Sequence, residues 1–87
     1  MKLKLAKGFQ TVQTGGKTYL TSSVRGFNGQ IACNETAAFI VKKLHRRTSR
    51  EKIIKSVCRS FDASEAEVTA DVDDVLALLR QVGALVD

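Results

Sequence analysis

Apolar residues recur at helical spacing only beyond about residue 34, whereas the chain before that point is rich in Gly, Thr, Ser and Gln. The shift predicts a sheet followed by helices. In the first part, the Thr- and aromatic-bearing segments Phe9–Thr14 and Lys17–Thr21 flank Gly15-Gly16, a pair that tolerates positive φ in a two-residue hairpin turn. Phe9 and Val12 fall on opposite faces of such a strand, so the pattern alone leaves the register open. After a loop over Val24–Gly29, Gln30-Ile31-Ala32-Cys33 predicts a short half-buried strand. Ile31 and Cys33 turn toward the core, Gln30 and Ala32 turn the other way, and one backbone edge stays free.

Three helices follow. Asn34 is a good N-cap and Glu35 suits the positive end of the helix dipole, with Ala37, Ile40, Val41 and Leu44 forming the inner face of the first helix. Thr48 with Glu51 reads as a capping box for the second, whose stripe is Ile53, Ile54, Val57, Cys58 and Phe61. Ser64 with Glu67 opens the third, which carries Val68, Val72, Val75, Leu76, Leu79 and Val82 on one face before Gly83 ends it, roughly nineteen residues or about 28 Å. Leu78 lies at the border of that stripe. It is either a peripheral core residue or part of an exposed apolar groove. The predicted fold class is α+β, one domain over residues 1–87, with strands across about 9–33 and helices across 34–87.

Length and composition agree with one small folded domain: 87 residues, 44% hydrophobic and 26% charged, with no Pro or Trp. Met1-Lys2-Leu3-Lys4-Leu5 begins no apolar run of signal-peptide or membrane-span length, which points to a cytoplasmic chain that stays off the membrane. Cys33 and Cys58 then read as small, buried, reduced hydrophobes, the alternative being a reactive or bridged pair. The formal charge of +5 is unevenly spread. Lys42, Lys43, Arg46, Arg47, Arg50, Lys52, Lys55 and Arg59 stand against the lone Glu51, while Asp62, Glu65, Glu67, Asp71, Asp73 and Asp74 face no base over 62–74. The basic run suits nucleic acid or an acidic protein surface, or is simply a solvated helix face.

Little here resembles a catalytic or cofactor site. The single histidine, His45, sits in the basic stretch as a surface residue at a helix end, and one His with two Cys matches no zinc spacing. Asp71, Asp73 and Asp74 lack the glycine turn of a calcium loop, and neither glycine cluster has the pattern of a phosphate or dinucleotide loop. The expectation is a binding module without enzymatic activity, metal or cofactor.

Four features stand in a specific order: the Gly-Gly hairpin; Ile31-Ala-Cys-Asn34-Glu-Thr-Ala-Ala-Phe-Ile-Val41; Thr48-x-x-Glu51-x-Ile53; and Asp71-Val72-x-x-Val75-Leu76-x-x-Leu79-x-x-x-Gly83-x-Leu85. In this order they resemble the PqqD family, from about Phe9 to the C-terminus. Cys33 and Ala84 stand where the family commonly has leucine, and Leu78 where it commonly has a polar residue.

The resemblance implies a winged helix-turn-helix of three strands and three helices that recognises ribosomally made, post-translationally modified peptides. Such proteins catalyse nothing. They hold the leader of a precursor peptide for a modifying enzyme, often a radical-SAM enzyme, or a protease in lasso-peptide pathways, with the leader added as a strand on the third strand and packed against the third helix. Carried onto this chain, the peptide contacts are Gly29, Gln30, Ile31, Ala32 and Cys33 on the strand and Asp71, Asp74, Val75, Leu78 and Val82 on the helix. The alternative is a nucleic-acid-binding winged helix reading DNA with Arg50, Lys52, Lys55 and Arg59. Against it, no Asn/Gln pair is placed to read bases and the third helix is acidic.

Overall fold

The structure, a computed structural model, describes residues 2–23 and 29–87. The loop expected over Val24–Gly29 lies outside the described residues except for Gly29. The elements are β1 (Lys4–Leu5), β2 (Phe9–Thr14), β3 (Lys17–Ser22), β4 (Ile31–Cys33), α1 (Glu35–Lys43), α2 (Arg50–Phe61), α3 (Glu65–Gln81) and β5 (Leu85–Val86). The expected antiparallel sheet in the order β2-β3-β4, followed by three helices, is present. A second, two-stranded sheet joins β1 to β5.

Thr14 pairs with Lys17, so Gly15 and Gly16 form a two-residue turn, and their φ values of 60° and 79° are those of a type I′ turn, matched to strand twist. The register also settles which face each residue takes. Thr11 pairs with Leu20 and Leu20 with Ile31, placing Phe9, Leu20, Ile31 and Cys33 on the inner face. Val12, Tyr19 and Ala32 form the corresponding row on the outer face.

The helix caps follow the sequence in two cases of three. The Asn34 side chain accepts the Ala37 N–H at 2.8 Å, and the Ser64 hydroxyl accepts that of Glu67 at 3.3 Å. Helix α2, however, is capped by Ser49, which accepts the Lys52 N–H at 3.3 Å, and not by Thr48. The backbone of Thr48 is engaged elsewhere: it exchanges two hydrogen bonds with Leu3, at 2.7 and 2.9 Å. Helix α3 has 17 residues, shorter than expected, because the chain leaves it at Val82. Gly83, at φ 75°, donates to the Arg80 carbonyl at 3.1 Å and Ala84 to the Leu79 carbonyl at 2.7 Å, a Schellman ending that turns the chain back toward β1.

One hydrophobic cluster gathers Leu3 and Leu5 from the N-terminal segment, Phe9 and Leu20 from the hairpin, and the inner faces of all three helices. Ala84 is fully buried in it, so the small side chain there fits a tight site. Cys33 and Cys58 are free thiols but half-buried, at the margin of the cluster and not within it. Among the described residues, no helix is long and apolar enough to cross a membrane.

The N-terminal clasp was not foreseen. Strand β1 pairs with β5 on one side, and on the other Leu5 donates to the Leu44 carbonyl at 2.8 Å while Leu3 pairs with Thr48. It ties the C-terminal strand to the turn between α1 and α2. Truncating Leu3 to Ala is expected to lower stability in urea denaturation by about 2–4 kcal/mol, as for other buried leucines. Val86→Ala, at an exposed position of the partner strand, should cost under about 0.5 kcal/mol. Equal effects would contradict a role for the clasp in the core.

Candidate functional site

Strand β4 is short for local reasons. Gly29 has φ 92°, a left-handed conformation that ends the extended backbone before Gln30, and Asn34 begins capping α1 directly after Cys33. The ladder therefore covers Ile31, Ala32 and Cys33, while Gly29 and Gln30 are exposed residues preceding it. Among the described residues β4 has one strand partner, β3. Because backbone groups alternate sides along a strand, the far side of β4 carries donors and acceptors not used by this sheet. Ile31 and Cys33 lean on the core margin, and Ala32 is exposed. Burial pushes the Cys33 thiol above its ordinary pKa, partly offset by a backbone hydrogen bond from Leu20. Burial thus favours the neutral thiol over the thiolate.

On α3, Asp71 stands three and four residues before the adjacent pair Asp74 and Val75, Leu78 four and three residues after them, and the C-cap Val82 four beyond Leu78, so the five share a flank. Val75 and Val82 are half-buried against the same hydrophobic cluster that Ile31 and Cys33 join, and α1 packs against both β4 and α3. Leu78 is 41% exposed, a large apolar side chain left partly in water beside the exposed Asp71 and Asp74.

The concavity that Ala32 and Cys33 line opens in another direction. It has a volume of about 1290 Å³ and lies between the hairpin, through Thr11 and Thr18, and α1, through Ala38 and Phe39. Phe39 meets Phe61 edge-on at 5.4 Å between ring centroids, and the Lys43 ammonium sits 5.0 Å above the Phe39 ring. The sequence reading missed this space because the polar inner positions Thr11 and Thr18 identify themselves only once the strand register is known.

The four alternative contacts all lie on α2. Arg50 is engaged: its Nε and Nη2 donate to the two carboxylate oxygens of Asp73 at 2.7 and 3.0 Å. Lys52, Lys55 and Arg59 are exposed, and Glu51 and Glu65 share a concavity with Arg50, Lys55 and Arg59. The basic face of α2 is thus interrupted by carboxylates from its own first turn and from α3. Among the described residues, no three of His, Cys, Asp and Glu gather as metal ligands would.

A family model described as coenzyme PQQ synthesis protein D (PqqD) matches residues 20–85. The chain belongs to the PqqD family. The match begins within β3, later than the resemblance read from Phe9, and it takes in β4, all three helices and the first residue of β5. Comparison with curated proteins and with solved structures found no match in either. PqqD-family proteins are accessory proteins of PQQ and related ribosomal-peptide biosynthesis, with a peptide-binding role, and both β4 and α3 fall inside the matched segment.

The Arg50–Asp73 bond has a measurable signature. The Arg50 guanidinium holds the Asp73 carboxyl below the usual aspartate range, chiefly through its hydrogen bond. A depressed folded-state pKa contributes stability above the unfolded pKa that is lost as pH falls through the folded value. In carbon-detected NMR titration Asp73 should therefore titrate below the ordinary aspartate range, and return to it in Arg50→Ala. An unmoved Asp73 in that variant would show that the pair does not persist in solution.

Proposed function

We propose that this chain captures the leader segment of a ribosomally synthesised precursor peptide and presents it to a modifying enzyme, a radical-SAM enzyme or a protease, without catalysing a reaction itself. The observation that carries this reading is the singly paired strand β4 within the family-matched segment. An added antiparallel strand gains main-chain hydrogen bonds along Ile31–Cys33, and its alternate side chains turn either toward the core margin or toward the outer row of Val12, Tyr19 and Ala32. Gly29 and Gln30 extend the contact beyond the ladder, and Asp71, Asp74, Val75, Leu78 and Val82 form the helical wall.

The size of the effect is reasonable. About five backbone bonds at ~1 kcal/mol and three partly buried side chains at ~2 kcal/mol, less ~2–5 kcal/mol for ordering the leader, leave about 8 kcal/mol, near micromolar affinity. The competing reading, a winged helix that holds nucleic acid with α2, loses one of its four contacts to Asp73 and faces carboxylates beside two others.

The test is fluorescence anisotropy with the labelled leader of a precursor encoded beside this gene, and with random duplex DNA over the same salt series. Leader binding should saturate near micromolar concentration and change little with salt. Leu78→Asp should weaken it about tenfold while circular dichroism stays unchanged. Absence of leader binding, together with tight and steeply salt-dependent DNA binding, would overturn the proposal.

A further inference from the structure

The clasp that joins β1 to the α1–α2 turn also joins two groups of bases that are far apart in sequence. Lys2, Lys4 and Lys7 come from the N-terminal segment, and His45 and Arg47 follow α1; all five line one concavity of about 390 Å³. The backbone bonds from Leu3 to Thr48 and from Leu5 to Leu44 set this juxtaposition. Leu5, Ala6 and Val86 supply apolar surface within it, and Val86 is 48% exposed.

Charge there is uncompensated. Among the described residues the two ion pairs are Arg50–Asp73 and Arg80–Asp87, and neither includes a base of this concavity. Its one acid, Asp87, already accepts from Arg80 at 3.4 Å. Four unpaired cations around a recess repel one another and focus a positive potential into it. An anionic occupant relieves that repulsion.

We infer that this concavity docks an acidic, extended segment of a partner protein, one carrying an apolar residue between carboxylates. The exposed Val86 and the apolar lining favour such a segment over a nucleic-acid backbone, which has no apolar group to place there. Of the two rings in the lining, Phe9 is buried and the His45 Nδ1 lies 3.1 Å from the Val41 carbonyl. None of its lining residues belongs to β4 or α3, and His45 is the one it shares with the hairpin–α1 concavity.

The experiment uses the full chain and three fluorescein-labelled probes: a heptapeptide of alternating glutamate and leucine, an all-glutamate heptapeptide, and an oligothymidylate of matched charge. Lys17 serves as the control position, exposed at the hairpin tip and some ~17 Å along β2 from Phe9. The alternating peptide should bind most tightly of the three. Lys4→Glu and Lys7→Glu should each weaken it at least about fivefold at low salt, and Lys17→Glu, the same change in net charge, by less than about twofold. Equal weakening by Lys4→Glu and Lys17→Glu would reduce the effect to net charge and overturn the assignment. So would tighter binding of the oligothymidylate, or no saturable binding of the alternating peptide.

Discussion

Helix α1 packs against α2, α3, β3 and β4, and its inward residues Ile40, Val41 and Leu44 have almost no contact with water. Each buried aliphatic side chain of this size contributes about 1.5–3 kcal/mol relative to exposure, and here three of them on one short helix serve every layer at once. The position of α1 is fixed at its start by Asn34, which follows the last residue of β4 directly. Strand and helix are therefore joined by a single residue. Where α1 is held by its core contacts, the start of the helix also positions β4, and the proposed peptide would meet a preformed edge there. Preorganisation of this kind reduces the ordering cost of binding to that of the peptide itself.

The same arrangement separates charge. The acidic α3 lies on one side of the core, with Asp73 tied to Arg50, and the uncompensated bases gather where β1 crosses the α1–α2 turn. The structure offers two surfaces that differ in chemistry: a backbone edge on β4, and a cationic recess. The first lies in the family-matched segment. The second depends on Lys2, Lys4 and Lys7, which precede it.

What could be read from sequence was what local chemistry determines. Gly15-Gly16 has no good alternative to a tight turn, Asn34 and Ser64 cap the helices that follow them, and Gly83 ends α3 because its left-handed backbone is costly for other residues. What could not be read depended on distant partners. Leu3-Lys4-Leu5 alternates as a strand should, but three residues carry too little signal until Leu85–Val86 and Thr48 are seen beside them. The misplaced cap of α2 has the same origin, since Thr48 and Ser49 are both competent caps and the pairing of Thr48 with Leu3 leaves the role to Ser49. The strand itself was legible at Ile31–Cys33 and less so at Gly29 and Gln30, which precede the ladder and where Gly29 has a positive φ. Leu78 stood out in the helical pattern, and it is exposed.

The central claim is that a peptide pairs with β4. It is tested most directly by isotope-filtered NMR of the labelled protein with unlabelled leader. The account predicts intermolecular nuclear Overhauser effects between leader α-protons and the backbone of Ile31–Cys33 in an antiparallel ladder, with further contacts to the Leu78 methyl groups. Leader contacts confined to the hairpin–α1 concavity or to α2, with the β4 backbone unaffected, would contradict it.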